Sequence, residues 1–159
     1  MIQRIQSLFL LGVVLMSASL FFMPLSEKSV VDSTTGTATL HTLTVTGITL
    51  VNGSEAPQIV LKTFMILIVN LLLLALAAYT IFIYKKRQLQ IKLCMLGGLL
   101  AAVQLILIFY YSENMGLTSL KPHYLAGVYL VAAQVLLFMA ARRFIRKDDM
   151  LVRAADRIR

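Results

Sequence analysis

The residues of this chain whose types could do chemistry are few, and the most informative of them are amides. Asn70, Gln104 and Gln134 each lie inside a long apolar run, at similar depths when counted from one end of each run. Amides at one depth in a membrane protein hydrogen bond between helices, or they line a polar spot for a ligand. Hydrogen bonding is the simpler interpretation because hydrocarbon offers an amide no partner. We expect all three to face inward, with at least two reaching a neighbouring helix.

Other residues typical of catalysis or metal binding do not form a pattern. His41 and His123 have no cysteine and no pair of carboxylates near them in the sequence, so the spacing of a metal site is missing. Cys94, the single cysteine, is expected to be a small packing residue rather than a nucleophile. We therefore expect no catalytic, cofactor-binding or metal-binding residue, no cofactor and no enzymatic activity.

The amides lie in a chain of 159 residues that is 59% hydrophobic and only 14% charged, which is typical of membrane proteins. Four long runs lack Asp, Glu, Lys and Arg: 5–23, 63–84, 93–111 and 124–141. Each can cross a bilayer once, because a hydrocarbon core of about 30 Å needs about 20 helical residues. This excludes a disordered chain, a secreted disulfide scaffold and a soluble enzyme. The prediction is an all-α membrane protein, a four-transmembrane-helix bundle forming a single domain over 1–159.

The first run has a second interpretation as a cleaved signal peptide. Arg4 lies in a short polar start, and Ser17, Ala18 and Ser19 resemble a small-residue cleavage site. Apolar residues nevertheless continue to Met23, which favours a retained helix. Cleavage would leave three spans.

The distribution of charge predicts the orientation. Of the 15 lysine and arginine residues, 12 fall on the inner side if the N-terminus is cytoplasmic and the chain crosses four times. Basic residues flank membrane spans on the cytoplasmic side, so both termini are expected to be cytoplasmic. The net charge of +8 is then explained by orientation and by contact with anionic lipid headgroups. No aromatic platform accompanies the charge, so we expect no nucleic-acid partner.

The four runs leave four further segments of the chain. They are the outer loop 25–57, the inner loop 85–91, the outer loop 112–123 and the cytoplasmic tail 142–159. Threonine alternates with apolar residues within 37–51, which predicts one or two strands, or a hairpin bent at Gly47, over the outer ends of the helices. The composition of 26–36 is that of a loop, and no strand pattern follows the turn signal at Asn52.

The tail is predicted to be an amphipathic helix that continues from the fourth span. Helical projection places Phe144, Leu151, Val152, Ala155 and Ile158 on one side and the arginines on the other. Such a basic helix commonly lies on a membrane surface. Asp148 falls on the apolar side, so we expect a cation to meet it, from Arg4, Arg87 or a tail arginine.

Small residues are expected to bring the third and fourth spans close together. Gly97, Gly98, Ala101 and Ala102 form two pairs of small residues four apart on the third span. Packing within the chain is the simpler interpretation, and contact between subunits is the alternative.

Three stretches carry a family resemblance: 1–8, 86–94 and 145–159, the last being the most specific. The chain resembles the domain-of-unknown-function family 4293, four-span integral membrane proteins of Bacteroidota. The resemblance implies a Gram-negative cell inner membrane. It brings no activity, cofactor or catalytic residue with it.

All three stretches fall on the cytoplasmic side of the predicted topology, which indicates a contact surface there. Its candidate residues are Arg4, Arg87, Arg146, Asp148, Asp149, Arg153, Asp156 and Arg157. The leading hypothesis is an accessory or scaffold subunit that binds a protein partner, and lipid headgroups, through this basic face. The alternative is a transporter of small solutes or lipids with an amide-lined cavity between the helices.

Overall fold

A computed structural model describes residues 3–31, 38–52, 58–61, 63–83, 86–115 and 121–156. The helices are α1 Gln3–Ser19, α2 Phe64–Phe82, α3 Arg87–Glu113 and α4 Ala126–Asp156. The strands are β1 Ser26–Val31, β2 Ala38–Leu43, β3 Ile48–Asn52, β4 Gln58–Leu61 and β5 His123–Tyr124. The protein is mostly helical, with a small antiparallel sheet.

The helices pack side by side, α1 and α3 each contacting α2 and α4. Among the described residues, three helices are long and apolar enough to cross a membrane, Phe64–Phe82, Arg87–Glu113 and Ala126–Val152. Gln6–Ser19 is a shorter apolar helix.

The first helix ends four residues before the end of the predicted run. The backbone tightens after Ser19, where Phe21 N donates to Ala18 O and Phe22 N donates to Ser19 O. Pro24 follows at once, and the residue before a proline disfavours helical geometry. The apolar composition of Leu20–Met23 therefore does not extend the helix.

Each long helix buries one stripe of residues spaced three and four apart, as expected for a helix packed on one side. In α2 the stripe is Ile66, Asn70, Leu73, Ala77 and Thr80, and in α3 it is Gln90, Cys94, Gly97, Ala101, Gln104, Ile108 and Ser112. In α4 it includes Val131, Gln134, Phe138, Ala141, Ile145 and Asp148. The stripe of α4 thus continues past the predicted span, so the start of the tail belongs to the same packing surface.

The sheet is larger than the sequence predicts. Its strand order is β4-β3-β2-β1-β5, and every pairing is antiparallel. The expected hairpin is present as β2 and β3, and its turn is closed by Thr44, whose Oγ1 donates to Gly47 O at 2.7 Å. The expectation that 26–36 is a loop is wrong for β1, and a strand does follow Asn52, namely β4.

Tertiary pairing explains the strands that the sequence pattern missed. The polar segment Ser26–Val31 pairs with β2 along its whole length and with β5 at Ser26 and Glu27. Strand formation there depends on the two neighbouring strands rather than on local propensity. β5 comes from the connection before α4, where no strand was expected.

Two apolar clusters make up the core. One joins the sheet to the helix ends and includes Leu25, Leu43, Ile48, Ile66, Ile108 and Val128. The other lies between the helices and includes Leu10, Leu73, Cys94, Ala101, Phe138 and Ile145. The sheet therefore lies over one end of the helices, and Cys94 is a buried packing residue.

Gly97 is what allows α3 and α4 to approach each other. A Cβ atom on Gly97 would lie 2.5 Å from Cε1 of Phe138, which is too close for any side chain. A Cβ atom on Gly98 would lie 3.7 Å from Cβ of Phe138, an ordinary contact. Gly97 thus serves packing between α3 and α4 of the same chain, which is the simpler of the two interpretations of the small residues.

Candidate functional site

The three amides and one serine form a hydrogen-bonded layer between the helices. Asn70 Nδ2 donates to Ser17 O at 3.1 Å, and Gln104 Nε2 donates to Asn70 Oδ1 at 3.4 Å. Gln134 Nε2 donates to Ser17 Oγ at 3.3 Å. All four residues are fully buried. We call this group, which contains one residue from each helix, the polar layer.

Ser17 is the member of the layer that sequence reasoning missed. In the sequence it stands out only as part of a small-residue cleavage site, whereas its carbonyl and its hydroxyl accept the bonds of Asn70 and Gln134. Its position in the first apolar run, at about the depth of the three amides in theirs, is the sequence signal for its place in the layer. Both donors therefore have their partner in α1.

The polar layer is not fully satisfied. Within the described part of the chain, Oε1 of Gln104 and Oε1 of Gln134 are buried acceptors with no hydrogen-bond partner. Because the side chains of Asn70, Gln104 and Gln134 have no exposed surface, they do not line a passage open to water. This geometry suits a packing contact between helices better than a solute path.

Polar contacts also fasten the sheet to the helices. Ser26 of β1 and Ser112 of α3 share a buried hydrogen bond of 2.7 Å between their hydroxyls. Leu25 N donates to Leu43 O at 2.7 Å, and Leu125 N donates to Leu25 O at 3.0 Å. The segment around Leu25 therefore connects β2, the start of α4 and the end of α3.

We call the opposite end of the helices, where lysine and arginine concentrate, the basic end. Its lysine and arginine residues whose side chains the structure describes are Lys86, Arg87, Lys92, Arg142, Arg143, Arg146 and Lys147. Among the described residues, an ion pair and a hydrogen bond connect α4 to the start of α3 there. Arg87 Nη2 lies 3.6 Å from Asp148 Oδ2, and Gln88 Nε2 donates to Asp149 Oδ2 at 2.7 Å. Asp148 is nearly buried, and Arg87 is one of the cations expected to meet it.

The structure places only part of the predicted contact surface. Arg146 is exposed, and Asp149 is half-buried. Arg4 lies in α1, Arg153 and Asp156 lie in α4, and Arg157 lies outside the described residues. The structure therefore brings Arg87, Asp148 and Asp149 together at the junction of α3 and α4.

The tail is helical through Asp156, as predicted, but its apolar side is only partly packed. Ile145 is buried, and Phe144 stacks on Phe9 with ring centroids 5.3 Å apart. Leu151 is 51% exposed, so it is not covered by the helices. Ile158 lies outside the described residues.

The two histidines lie in the sheet, and Cys94 lies in α3. Among the described residues, no group of three His, Cys, Asp or Glu side chains could hold a metal ion. His41 lies opposite Lys28 in the β1–β2 pairing. Burial, and secondly the Lys28 charge, lower the pKa of the His41 imidazole below its usual value.

The fold and these contacts define a class: a mostly helical protein with membrane-span-like helices, a polar layer between them and a small sheet at one end. The sequence profile of a family described as Domain of unknown function (DUF4293) matches residues 2–158, nearly the whole chain. The chain therefore belongs to the DUF4293 family, and the resemblance seen in its sequence is confirmed. No curated protein matches the chain.

Proposed function

We propose that this protein is a non-enzymatic accessory or scaffold subunit, crossing a Gram-negative inner membrane four times and binding a protein partner through its basic end. The observation that carries the proposal is the construction of that end. The ion pair of Arg87 with Asp148 and the hydrogen bond of Gln88 to Asp149 hold α4 against α3 beyond the predicted span. The side chains of Arg143, Arg146 and Lys147 are exposed. A charged surface held in one pose suits recognition of an acidic partner.

The packing of α1 supports four spans rather than three. Its 17 residues reach about 25 Å at 1.5 Å each, slightly short of a hydrocarbon core. Its Ser17 belongs to the polar layer, so α1 lies at the same depth as the other helices. Leu8, Leu11 and Leu15 are 67%, 52% and 62% exposed, which suits contact with lipid.

The orientation proposed here places both termini in the cytoplasm and the sheet in the periplasm. Its support is the positive-inside distribution of lysine and arginine, because these residues collect at the end away from the sheet. Alkaline phosphatase, active only in the periplasm, is fused after Arg159 for the test. We expect an inactive fusion there and an active one when the enzyme is inserted after Asn52. Activity after Arg159 would exclude this topology.

Two observations favour an accessory role over the other classes of function. Cys94, the one thiol, is buried in the apolar cluster and so is not available as a nucleophile. The amides that a transporter would use bond to one another and to Ser17 and have no exposed surface. An accessory subunit needs neither a nucleophile nor a path through the helices.

The deciding experiment is recovery of a partner from membranes solubilised in mild detergent. We expect the wild-type chain to recover the same protein repeatedly, and Arg143→Gln/Arg146→Gln to lose it. Lys121→Gln is the control, because Lys121 is exposed at the sheet end. Recovery by the double variant equal to wild type, or equal loss in the control, would exclude the basic end as the binding surface.

A further inference from the structure

A groove runs between α3 and α4 on their outward-facing side. It has a volume of about 290 Å³, and its walls include Met95 and Leu99 of α3 and Met139 of α4. These three side chains are 50%, 60% and 62% exposed, so the groove opens toward the surroundings of the helices. It lies within the apolar spans, where those surroundings are lipid chains.

Small residues keep this groove open. Gly98 and Ala102 line it one helical turn apart, and neither fills the space between the two helices. Gly98 differs from its neighbour Gly97, because the ring of Phe138 fills the space where a side chain on Gly97 would lie. A Cβ atom on Gly98 would make only an ordinary contact, so the space beside it is available to a ligand.

Cations converge where the groove ends. Arg142 lines the groove, and it also lines two neighbouring cavities of about 780 and 450 Å³. Lys92 of α3 and Arg146 of α4 line the smaller of these with it. Asp149 lies in the same wall, where its Oδ2 accepts a hydrogen bond from Gln88. Three cations and one carboxylate leave this end of the groove positive.

We propose that the groove binds one anionic phospholipid. The phosphate is held by Lys92, Arg142 and Arg146, and one acyl chain lies over Gly98 and Ala102. An apolar channel of about two helical turns, or about 10 Å, that ends in clustered cations matches an amphiphile with an anionic head. A free anion would use the cations and leave the apolar groove unexplained. A protein segment would have to enter the lipid phase to fill it.

This lipid site goes beyond the proposed binding of a protein partner. It rests on the proposed function only in its orientation, which would place the lipid in the cytoplasmic leaflet. It is tested on the isolated full-length chain. Delipidated protein in detergent is titrated with phosphatidylglycerol or with phosphatidylcholine of the same acyl chains, and adducts are counted by native mass spectrometry. We expect one phosphatidylglycerol per chain, bound about thirtyfold more tightly than phosphatidylcholine, because three cations and one carboxylate leave two net positive charges and each contributes about 1 kcal/mol.

Matched variants separate the two parts of the site. Lys92→Gln and Arg142→Gln should remove the preference for phosphatidylglycerol, whereas Lys86→Gln should retain it. Lys86 is exposed at the same end and lines none of these three cavities. Ala102→Leu should weaken both lipids by filling the groove. Ala75→Leu, the same change on the exposed side of α2, should not.

Three outcomes would overturn the site. Equal affinity for the two lipids would show that the cations do not bind the headgroup. Unchanged lipid binding by Ala102→Leu would show that the groove does not hold the acyl chain. Displacement of phosphatidylglycerol by inorganic phosphate at equal concentration would assign a free-anion site instead. Each of these results leaves partner recovery from membranes as a separate test of the proposed function.

Discussion

In the polar layer every member is fully buried and bonded to a neighbouring helix, whereas most charged side chains of the basic end are exposed. A buried polar group left without its partner costs about 1–3 kcal/mol, while an exposed ion pair contributes at most about 1 kcal/mol. The difference indicates that the polar layer sets how the helices pack. The basic end keeps its charges available for a partner or a lipid.

The largest loss of stability should come from replacing Asn70, which both donates and accepts a hydrogen bond within the polar layer. Asn70→Ala removes the bond to Ser17 O and leaves Gln104 Nε2 without an acceptor. We expect the free energy of unfolding to fall by about 2–4 kcal/mol, measured by steric trapping in detergent. Leu71→Ala, on the exposed side of the same helix, is the control and should cost well under half as much. Equal costs would show that the layer does not set the packing.

Gly97 tests whether the close approach of α3 and α4 belongs to the same packing system. Gly97→Ala places a methyl group 2.5 Å from the Phe138 ring, so the helices must separate or the ring must move. Overpacking of this kind costs about 1–3 kcal/mol. The thermal midpoint should fall for Gly97→Ala and stay nearly unchanged for Gly98→Ala. A similar fall in both would mean that contact with the Phe138 ring does not determine the effect, because alanine favours a helix over glycine at either position.

Ser17 tests a single side-chain bond of the polar layer, because its other hydrogen bond is made by the backbone carbonyl. Ser17→Ala removes only the Oγ acceptor of Gln134 and keeps the carbonyl that Asn70 uses. The expected cost is about 0.6 kcal/mol and at most about 2, typical of one bond between membrane helices. In a double-mutant cycle, Gln134→Leu should cost less in the Ser17→Ala background than in wild type. Additive costs would show that the two side chains are not coupled.

The three amides of the polar layer were predictable from the sequence, whereas Ser17 and most of the sheet were not. An amide inside an apolar run has no hydrogen-bond partner in lipid, so the sequence alone assigns Asn70, Gln104 and Gln134 to the interior of the helix bundle. Strands β1 and β4 have no such local signal, because they form by pairing with β2 and β3. The same holds for β5, which is two residues long.

At the basic end the sequence predicted the chemistry better than the geometry. That Asp148 needs a cation followed from its neighbours on the helix, but the choice of Arg87 depends on how α3 starts beside α4. Helical projection places Phe144, Leu151 and Asp148 on the apolar side of the tail. Asp148 does lie in the buried stripe, together with Ile145, because the stripe continues the three-and-four spacing of the span. Phe144 and Leu151 are 38% and 51% exposed.

Asp148 should matter less for stability than Asn70 of the polar layer. Its carboxylate lies 3.6 Å from Arg87, and the Arg87 and Asp148 side chains are 23% and 12% exposed. Asp148→Ala should lower the free energy of unfolding by about 1 kcal/mol or less. Protease trimming from the C-terminus should accelerate while the spans stay intact. Arg87→Gln should match it, and the double variant should add nothing. Unchanged trimming would mean that Ile145 and the Gln88–Asp149 bond hold α4 without the ion pair.

The smallest expected effect lies outside both regions, at His41 on the sheet. Burial, and then the Lys28 charge, lower the pKa of its imidazole in the folded protein below the usual 6.5. The unfolded chain therefore binds the proton more readily, and stability falls as the pH drops below 6.5 toward the folded-state pKa. The thermal midpoint of wild type should decrease slightly more than that of His41→Gln between about pH 7.5 and 5.5. Lys28→Gln should reduce this difference only in part, because burial is the larger cause. An identical decrease in wild type and His41→Gln would assign the acid sensitivity to other groups.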